Sequence, residues 1–363
     1  MTDVAHRKQY YPALDGLRGV AILMVVLLHN FGFMSYFFFG WLGVDLFFVL
    51  SGFLITDVLL KTFGSIHFLR NFYVRRMLRI FPIYYLGLFF CLFLLPLIDP
   101  SAFDLRYYQQ NVFWIIFFFQ NWLYVFKPPH GSSMLFHFWS LAVEEQFYIL
   151  WPGIILLVKN FKSLLWIIVC LLIAVMVGRY LLWIFHIQDL AYDSLYTFTR
   201  IDGICVGCML ALMLRVSPNF LRNYTHMIVL SLAVLNFIMY FLNENATRRL
   251  PYLAFIGYTT FAIIFGFVVY EAIVAKSKFI QIVFNNSILK FFGRISYGLY
   301  VLHWPIYLIC FPFLTDAVNG VSLLDKVAKI IAGLLATGIA VLVSLLSYNY
   351  FEIIFLRLKN YFV

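Results

Sequence analysis

The stretch "GVAILMVVLLHNFGF", Gly19–Phe33, decides the fold class. It is apolar enough to sit in lipid, yet it carries an imidazole, His29, well past its middle. About 20 predominantly apolar residues cross a bilayer as a helix, and with the residues that follow this run extends over Gly19–Phe37. An ionisable group inside such a segment is costly, so by default it marks a functional site.

The rest of the chain agrees with a lipid setting. Of its 363 residues 64% are hydrophobic and 12% charged, and the mean hydropathy is +0.92. A soluble domain carries about 25% charged residues, so this chain has too little polar surface to cover a water-soluble globule. An all-α, polytopic membrane protein follows. Further spans are expected at Trp41–Leu60, Ile80–Ile98, Leu135–Val158, Leu164–Phe185, Tyr196–Leu214, Met227–Leu242, Tyr252–Ala275, Ser296–Leu314 and Val327–Tyr350. That makes about ten transmembrane helices. Val112–Phe126 is apolar but short, and is read as a re-entrant or interfacial element.

Basic residues fix the sides. They cluster before the first span (Arg7, Lys8, Arg18) and over Lys61–Arg79, and recur at Lys159/Lys162, Arg215/Arg222, Lys276–Arg294 and Arg357/Lys359. Such loops belong in the cytoplasm. The intervening stretches "IDPSAFD", "HIQDLAYD" and "LTDAVNG" have no Lys or Arg, and the Asn243–Arg249 loop, with Arg248 and Arg249, is the discordant one. The alternation requires that Val112–Phe126 does not cross, and it leaves both the N- and the C-terminus cytoplasmic. The net charge of +10 is then a topological signal, and no nucleic-acid partner is expected. The basic N-terminus precedes an apolar run without a small-residue cleavage site, as in a retained anchor. Residues 1–363 read as a single membrane-embedded domain. Cys205 and Cys208 form a C-x-x-C inside an apolar run with no second ligand pair nearby, so no metal site is expected. Asn245 in N-A-T would accept a glycan only in a secretory pathway.

Polar residues within spans supply the candidates. Arg18 precedes His29 by eleven residues, which returns to the same helix face about 16.5 Å along the axis. A packing hydrogen bond is the plainer explanation of a lone intramembrane His. In "HFWSLAVEEQFYILWP", His137, Ser140, Glu144 and Tyr148 share one helical face, with Glu145 about 100° away. Two adjacent carboxyls here cannot cheaply both ionise, so one meets a cation or stays protonated; a helix–helix ion pair is the structural alternative. In "YVRRMLRIFPIYY", Arg76 and Arg79 face the same way and Pro82 is expected to open the third span. This cluster either enforces topology or clamps phosphate, which the planar guanidinium grips bidentately. Asp45 lies near the outer end of the second span, Arg200 and Asp202 are close enough in sequence to pair, and Tyr297, His303 and Trp304 bring a second intramembrane imidazole.

Six fragments, "YYPALDGLRGVAILMVVLLHN", "WLGVDLFFVLSGFLI", "RRMLRIFPIYY", "FWSLAVEEQFYILWP", "RIDGICVGCMLA" and "SYGLYVLHWPI", occur in one order over nearly the whole chain. Together they resemble the acyltransferase 3 family of integral membrane acyltransferases. The resemblance implies transfer of an acetyl group from acetyl-CoA to a hydroxyl of a cell-envelope glycan, such as a lipopolysaccharide O-antigen sugar. It also implies a bacterial inner-membrane location with membrane lipid and a glycan or lipid-linked glycan as partners. The end at Val363, soon after the last span, reads as the form without an appended hydrolase-like domain. Carried over, the essential histidine falls on His29, the conserved arginine on Arg18, the R-x-x-R on Arg76 and Arg79, and the acidic pair on Glu144 and Glu145. The arginines would then hold the donor's phosphates and His29 would act as base, its ring oriented by Glu144 or Glu145. Asp45, Ser140, Tyr148, Tyr297 and His303 are the expected substrate contacts. The rival class is a proton-coupled transporter, with the buried His and Glu residues as a proton relay.

Overall fold

A computed structural model describes residues 11–98, 105–129, 134–185, 196–217, 219, 224–244, 252–274, 277–319 and 325–362. Asn245, Arg248, Arg249, Arg7, Lys8, Arg222 and Lys276 lie outside the described residues. Among those described, all regular structure is helical. Ten helices organise the chain: α1 Pro12–Phe31, α2 Leu42–Thr62, α3 Phe68–Phe89, α4 Trp139–Val158, α5 Phe161–Ile184, α6 Asp202–Val216, α7 Thr225–Glu244, α8 Tyr258–Val274, α9 Ser287–Asn319 and α10 Asp325–Leu346. All but α6 belong to the nine helices among the described residues that are long and apolar enough to cross a membrane. The protein is a multi-pass membrane protein.

Three sequence expectations need revision. The sixth span, expected as one segment, is broken at Ile201 into Thr197–Arg200 and α6. At 15 residues, α6 is about 22 Å long, less than the roughly 30 Å hydrocarbon core. Pro82 does not open the third span but lies inside α3. The helix tolerates its missing N–H, and the basic residues Arg70, Arg75, Arg76 and Arg79 therefore ride on the helix and not in a loop before it. The ninth span is part of a longer helix, α9, of 33 residues with Pro305 and Pro312 inside it.

The Val112–Phe126 segment forms two short helices, Val112–Ile116 and Gln120–Phe126. Between them Phe118 takes φ 59°, a left-handed conformation that side chains rarely adopt. Tertiary contacts hold it there. Its ring stacks on Tyr84 at 4.2 Å between centroids, and its carbonyl accepts a hydrogen bond from Gln146 Nε2 at 2.7 Å. Each piece is far too short to cross a bilayer.

Two helix pairs touch through their backbones. A Cβ on Gly19 would lie 2.0 Å from the Leu289 carbonyl oxygen, and one on Gly293 would lie 1.8 Å from that of Asp15. Only glycine admits this approach, and with Asp15 against Gly293 near one end and His29 against His303 farther along, α1 and α9 run side by side in the same direction. α2 and α6 also run parallel: Arg200 Nη2 meets Asp45 Oδ1 at 2.7 Å, Cys208 Sγ donates to the Gly52 carbonyl at 3.6 Å, and Arg215 Nη1 donates to the Leu60 carbonyl at 3.2 Å. Here a Cβ on Gly207 would come within 2.1 Å of the Val49 carbonyl oxygen.

Gly207→Val is therefore expected to destabilise the protein by at least the roughly 1–3 kcal/mol of ordinary overpacking. Gly338→Ala in α10, where a Cβ meets nothing within 4 Å, is expected to be neutral or stabilising. Thermal unfolding in detergent, followed by size-exclusion of the fluorescently tagged protein, compares the two.

Candidate active site

Five helices, α1 and α9 among them, bring polar side chains around one space. α1 contributes Arg18, α2 Ser51, α3 Arg76 and Arg79, α4 Glu144, and α9 Tyr297; all line a cavity of about 190 Å³. Arg76 and Arg79 converge because they are one turn apart on α3, and the charge of Arg18 acts on Arg79 across the space. The single carboxylate on the wall is already engaged. Glu144 Oε1 accepts from Ser51 Oγ at 3.1 Å and Oε2 from Tyr148 OH at 2.8 Å. Tyr148 in turn presents its ring to the Arg76 guanidinium, 5.0 Å from the centroid, a cation–π contact. Three guanidinium groups against one carboxylate in the described wall give this cavity an excess of positive charge.

A second cavity, of about 210 Å³, lies toward the other end of α1 and is walled by His29, Trp41, His137, Trp139, Arg200 and Tyr258. His29 Nδ1 and His303 Nε2 are 2.8 Å apart. Their rings are parallel within 1° with centroids 5.1 Å apart. The facing nitrogens are much closer than the centroids, so the rings meet edge to edge. His303 Nδ1 lies 2.9 Å from each of two carbonyl oxygens, Leu299 and Tyr300. The ring of Trp304 lies 5.2 Å from that of His29.

Val44 and Tyr300 line both cavities and so stand between them. Tyr300 OH is fixed by Ser140 Oγ at 2.5 Å and by donation to the His137 carbonyl at 2.9 Å.

The outer wall of the histidine cavity rests on buried charges. Arg200 pairs with Asp45 at 2.7 Å and Arg179 with Asp202 at 2.8 Å. The ion pairs are thus Arg200 with Asp45 and Arg179 with Asp202, where the sequence had suggested Arg200 with Asp202. Arg179 also donates Nε to the Thr199 carbonyl at 2.7 Å and makes a second donation there through Nη2. Thr259 Oγ1 donates to Asp202 Oδ2 at 2.9 Å. The Tyr258 ring is close to both guanidinium groups, its centroid 4.0 Å from that of Arg200 and 5.2 Å from that of Arg179. Asp45 is thus a structural partner of Arg200 and is absent from both cavity walls as described.

Over residues 11–349 the sequence matches the acyltransferase 3 family, described as the acyltransferase domain. The chain belongs to this family. A Listeria monocytogenes protein named peptidoglycan O-acetyltransferase OatA is 31% identical over 329 residues, covering 85% of this chain and 51% of its own length. A Bacillus subtilis protein named "Putative peptidoglycan O-acetyltransferase YrhL" is 31% identical over 327 residues, covering 84% of this chain and 50% of its own. The chain spans about half the length of the curated relatives it matches. No solved structure is detectably similar to it.

Of the candidate positions, Arg18, Arg76, Arg79, Glu144, Ser140 and Tyr297 meet in the arginine cavity. His29 lies in the histidine cavity. Glu145, 8% exposed, lies beside the first cavity and not in its described wall. Tyr148 supports Glu144 and Arg76. The partner of the His29 ring is His303, where Glu144 or Glu145 was expected. His303, expected as a substrate contact, is fully buried against His29 and is not in either described wall. Sequence reasoning missed Ser51, Tyr300 and Arg179. Arg179 had a signal, since an arginine within an apolar span is itself a flag.

Asp45→Ala leaves Arg200 buried without its counter-charge and is expected to cost about 3–5 kcal/mol. Loss of folded protein in detergent, measured by thermal unfolding, checks this; unchanged stability would show that the pair is not a brace.

Proposed function

We propose that the protein is a membrane O-acyltransferase that moves an acyl group, acetyl in the first instance, from a cytoplasmic CoA thioester to a hydroxyl of a cell-envelope glycan. In this reading residues 1–363 act as one membrane-embedded domain in a bacterial inner membrane. The broken segment containing α6 completes ten crossings, in keeping with its direction parallel to α2, and both termini are cytoplasmic. The observation that carries the proposal is the pairing of two cavities along α1: Arg18, Arg76 and Arg79 gather at one end, and a histidine dyad borders the other.

The chemistry follows from that division. The three guanidinium groups bind the donor's phosphates through charge-assisted hydrogen bonds. Arg18 and His29 belong to one unbroken helix, about 16.5 Å apart along its axis, a span that the pantetheine arm bridges when extended past Val44 and Tyr300. His29 accepts the proton of the acceptor hydroxyl as its oxygen attacks the thioester carbonyl carbon. The C–O bond forms, the C–S bond breaks, and the proton passes from His29 to the departing thiolate. Trp41, Trp139 and Tyr258 give the cavity an aromatic lining against which a sugar ring can pack. The names of the relatives make peptidoglycan the first glycan to test, ahead of a lipopolysaccharide O-antigen sugar. A proton-relay transporter is less well supported, because the family is one of acyltransferases and the similar proteins are named O-acetyltransferases.

Purified protein in lipid nanodiscs is incubated with acetyl-labelled CoA and glycan. Label transfer to the glycan is expected, whereas binding or movement of substrate without transfer would overturn the enzymatic reading. His29→Ala is expected to fold and to lose about 10²–10⁴-fold in rate. Arg76→Ala is expected to weaken CoA binding by about ten- to a hundredfold, the value of one charged hydrogen-bond contact, measured by calorimetry.

A further inference from the structure

The histidine dyad fixes where protons lie, because its contacts are directional. His303 Nδ1 faces two carbonyl oxygens, those of Leu299 and Tyr300, each at 2.9 Å. A carbonyl oxygen can only accept, so that nitrogen carries a hydrogen. In a neutral imidazole the other nitrogen is then a bare acceptor. That nitrogen, His303 Nε2, lies 2.8 Å from His29 Nδ1, and a bond between them requires the hydrogen to sit on His29 Nδ1. The nitrogen left on His29, Nε2, keeps its lone pair. The edge-to-edge, coplanar arrangement of the rings is the one in which such a bond is linear.

We propose that His303 is a positioning residue for His29: two backbone carbonyls set its tautomer, and it in turn holds the His29 proton on Nδ1 and leaves Nε2 as the basic atom. This deepens the acyltransferase reading and rests on it for its catalytic meaning. When His29 Nε2 takes a proton, its Nδ1–H remains bonded to His303 Nε2, so the new charge is shared with a second imidazole. The Nδ1–H of that imidazole points at two carbonyl dipoles, which favour the cation. No carboxylate is needed for this orientation, in contrast to a hydrolase triad in which an acid performs it. The site thus gains an oriented base without burying an anion beside it, which in a membrane interior is the more costly arrangement.

The test uses the whole protein with ¹⁵N-labelled histidine, reconstituted in lipid bilayers and studied by solid-state NMR, with His29→Ala assigning the His29 signals. The wild-type ring is expected to show a protonated Nδ1, an unprotonated Nε2, and coupling across the bond to His303 Nε2. In His303→Leu the hydrogen is expected to shift toward Nε2 of His29, with turnover down about ten- to a hundredfold and KM for the CoA donor unchanged. His303→Gln, which keeps an acceptor oxygen, is expected to recover a substantial part of both the tautomer and the turnover. A wild-type His29 protonated on Nε2, an unchanged tautomer in His303→Leu, or a Gln variant no better than Leu would each overturn the proposal. Should the tautomer be found while the wild-type protein transfers no acyl group, the positioning role stands and the enzymatic reading fails.

Discussion

The structure depends on how closely α1 and α9 approach. Hydrophobic burial does not drive helices together inside lipid, where the tails are as apolar as leucine; association relies on close packing and on polar contacts. Gly19 and Gly293 supply that packing, since neither leaves room for even a methyl group against the opposing carbonyl. Once the backbones touch, the direction and offset of the two helices are set. Arg18, beside the glycine contact, is turned toward the α3 arginines, and farther along α1 the same offset brings His29 against His303.

Much of this was legible from periodicity within single segments. Arg18 and His29 share one continuous helix, and Arg76 and Arg79 do converge. Glu144 and Tyr148, four residues apart, are hydrogen-bonded to each other. Spacing along a helix says which side chains share a face, and face-sharing is local. The partner of a face is not local. His29 and His303 are 274 residues apart in sequence, and nothing in either segment names the other. Asp45 looked like a substrate contact because an isolated acid near a span's end invites that reading, and only the parallel run of α2 and α6 shows Arg200 beside it. The break at Ile201 and the passage of α3 through Pro82 were hidden for a related reason. Hydropathy reports how much apolar sequence is present, not where the hydrogen-bond ladder is interrupted or survives.

The two cavities divide the work that charge and geometry can do. The first concentrates positive charge around one engaged carboxylate. The second is mainly aromatic, with neutralised ion pairs behind its wall and imidazoles on one side. Arg179, Asp202, Asp45 and Arg200 join α5, α6, α2 and the segment before α6 into a stiff frame, and Tyr258 is close to the two guanidinium groups. A reacting group in the second cavity therefore meets walls already in place, which is the condition under which fixed dipoles act without reorganising.

The partition made by Val44 and Tyr300 has an electrical consequence. A water-filled passage through a membrane protein lets ions run down the potential, about 2.3 kcal/mol for each charge per 100 mV. A valine side chain and a phenol pinned by Ser140 and the His137 carbonyl narrow the way between the cavities, where the donor arm is proposed to pass. A constriction that admits a single chain restricts the leak of ions through two hollows set along α1.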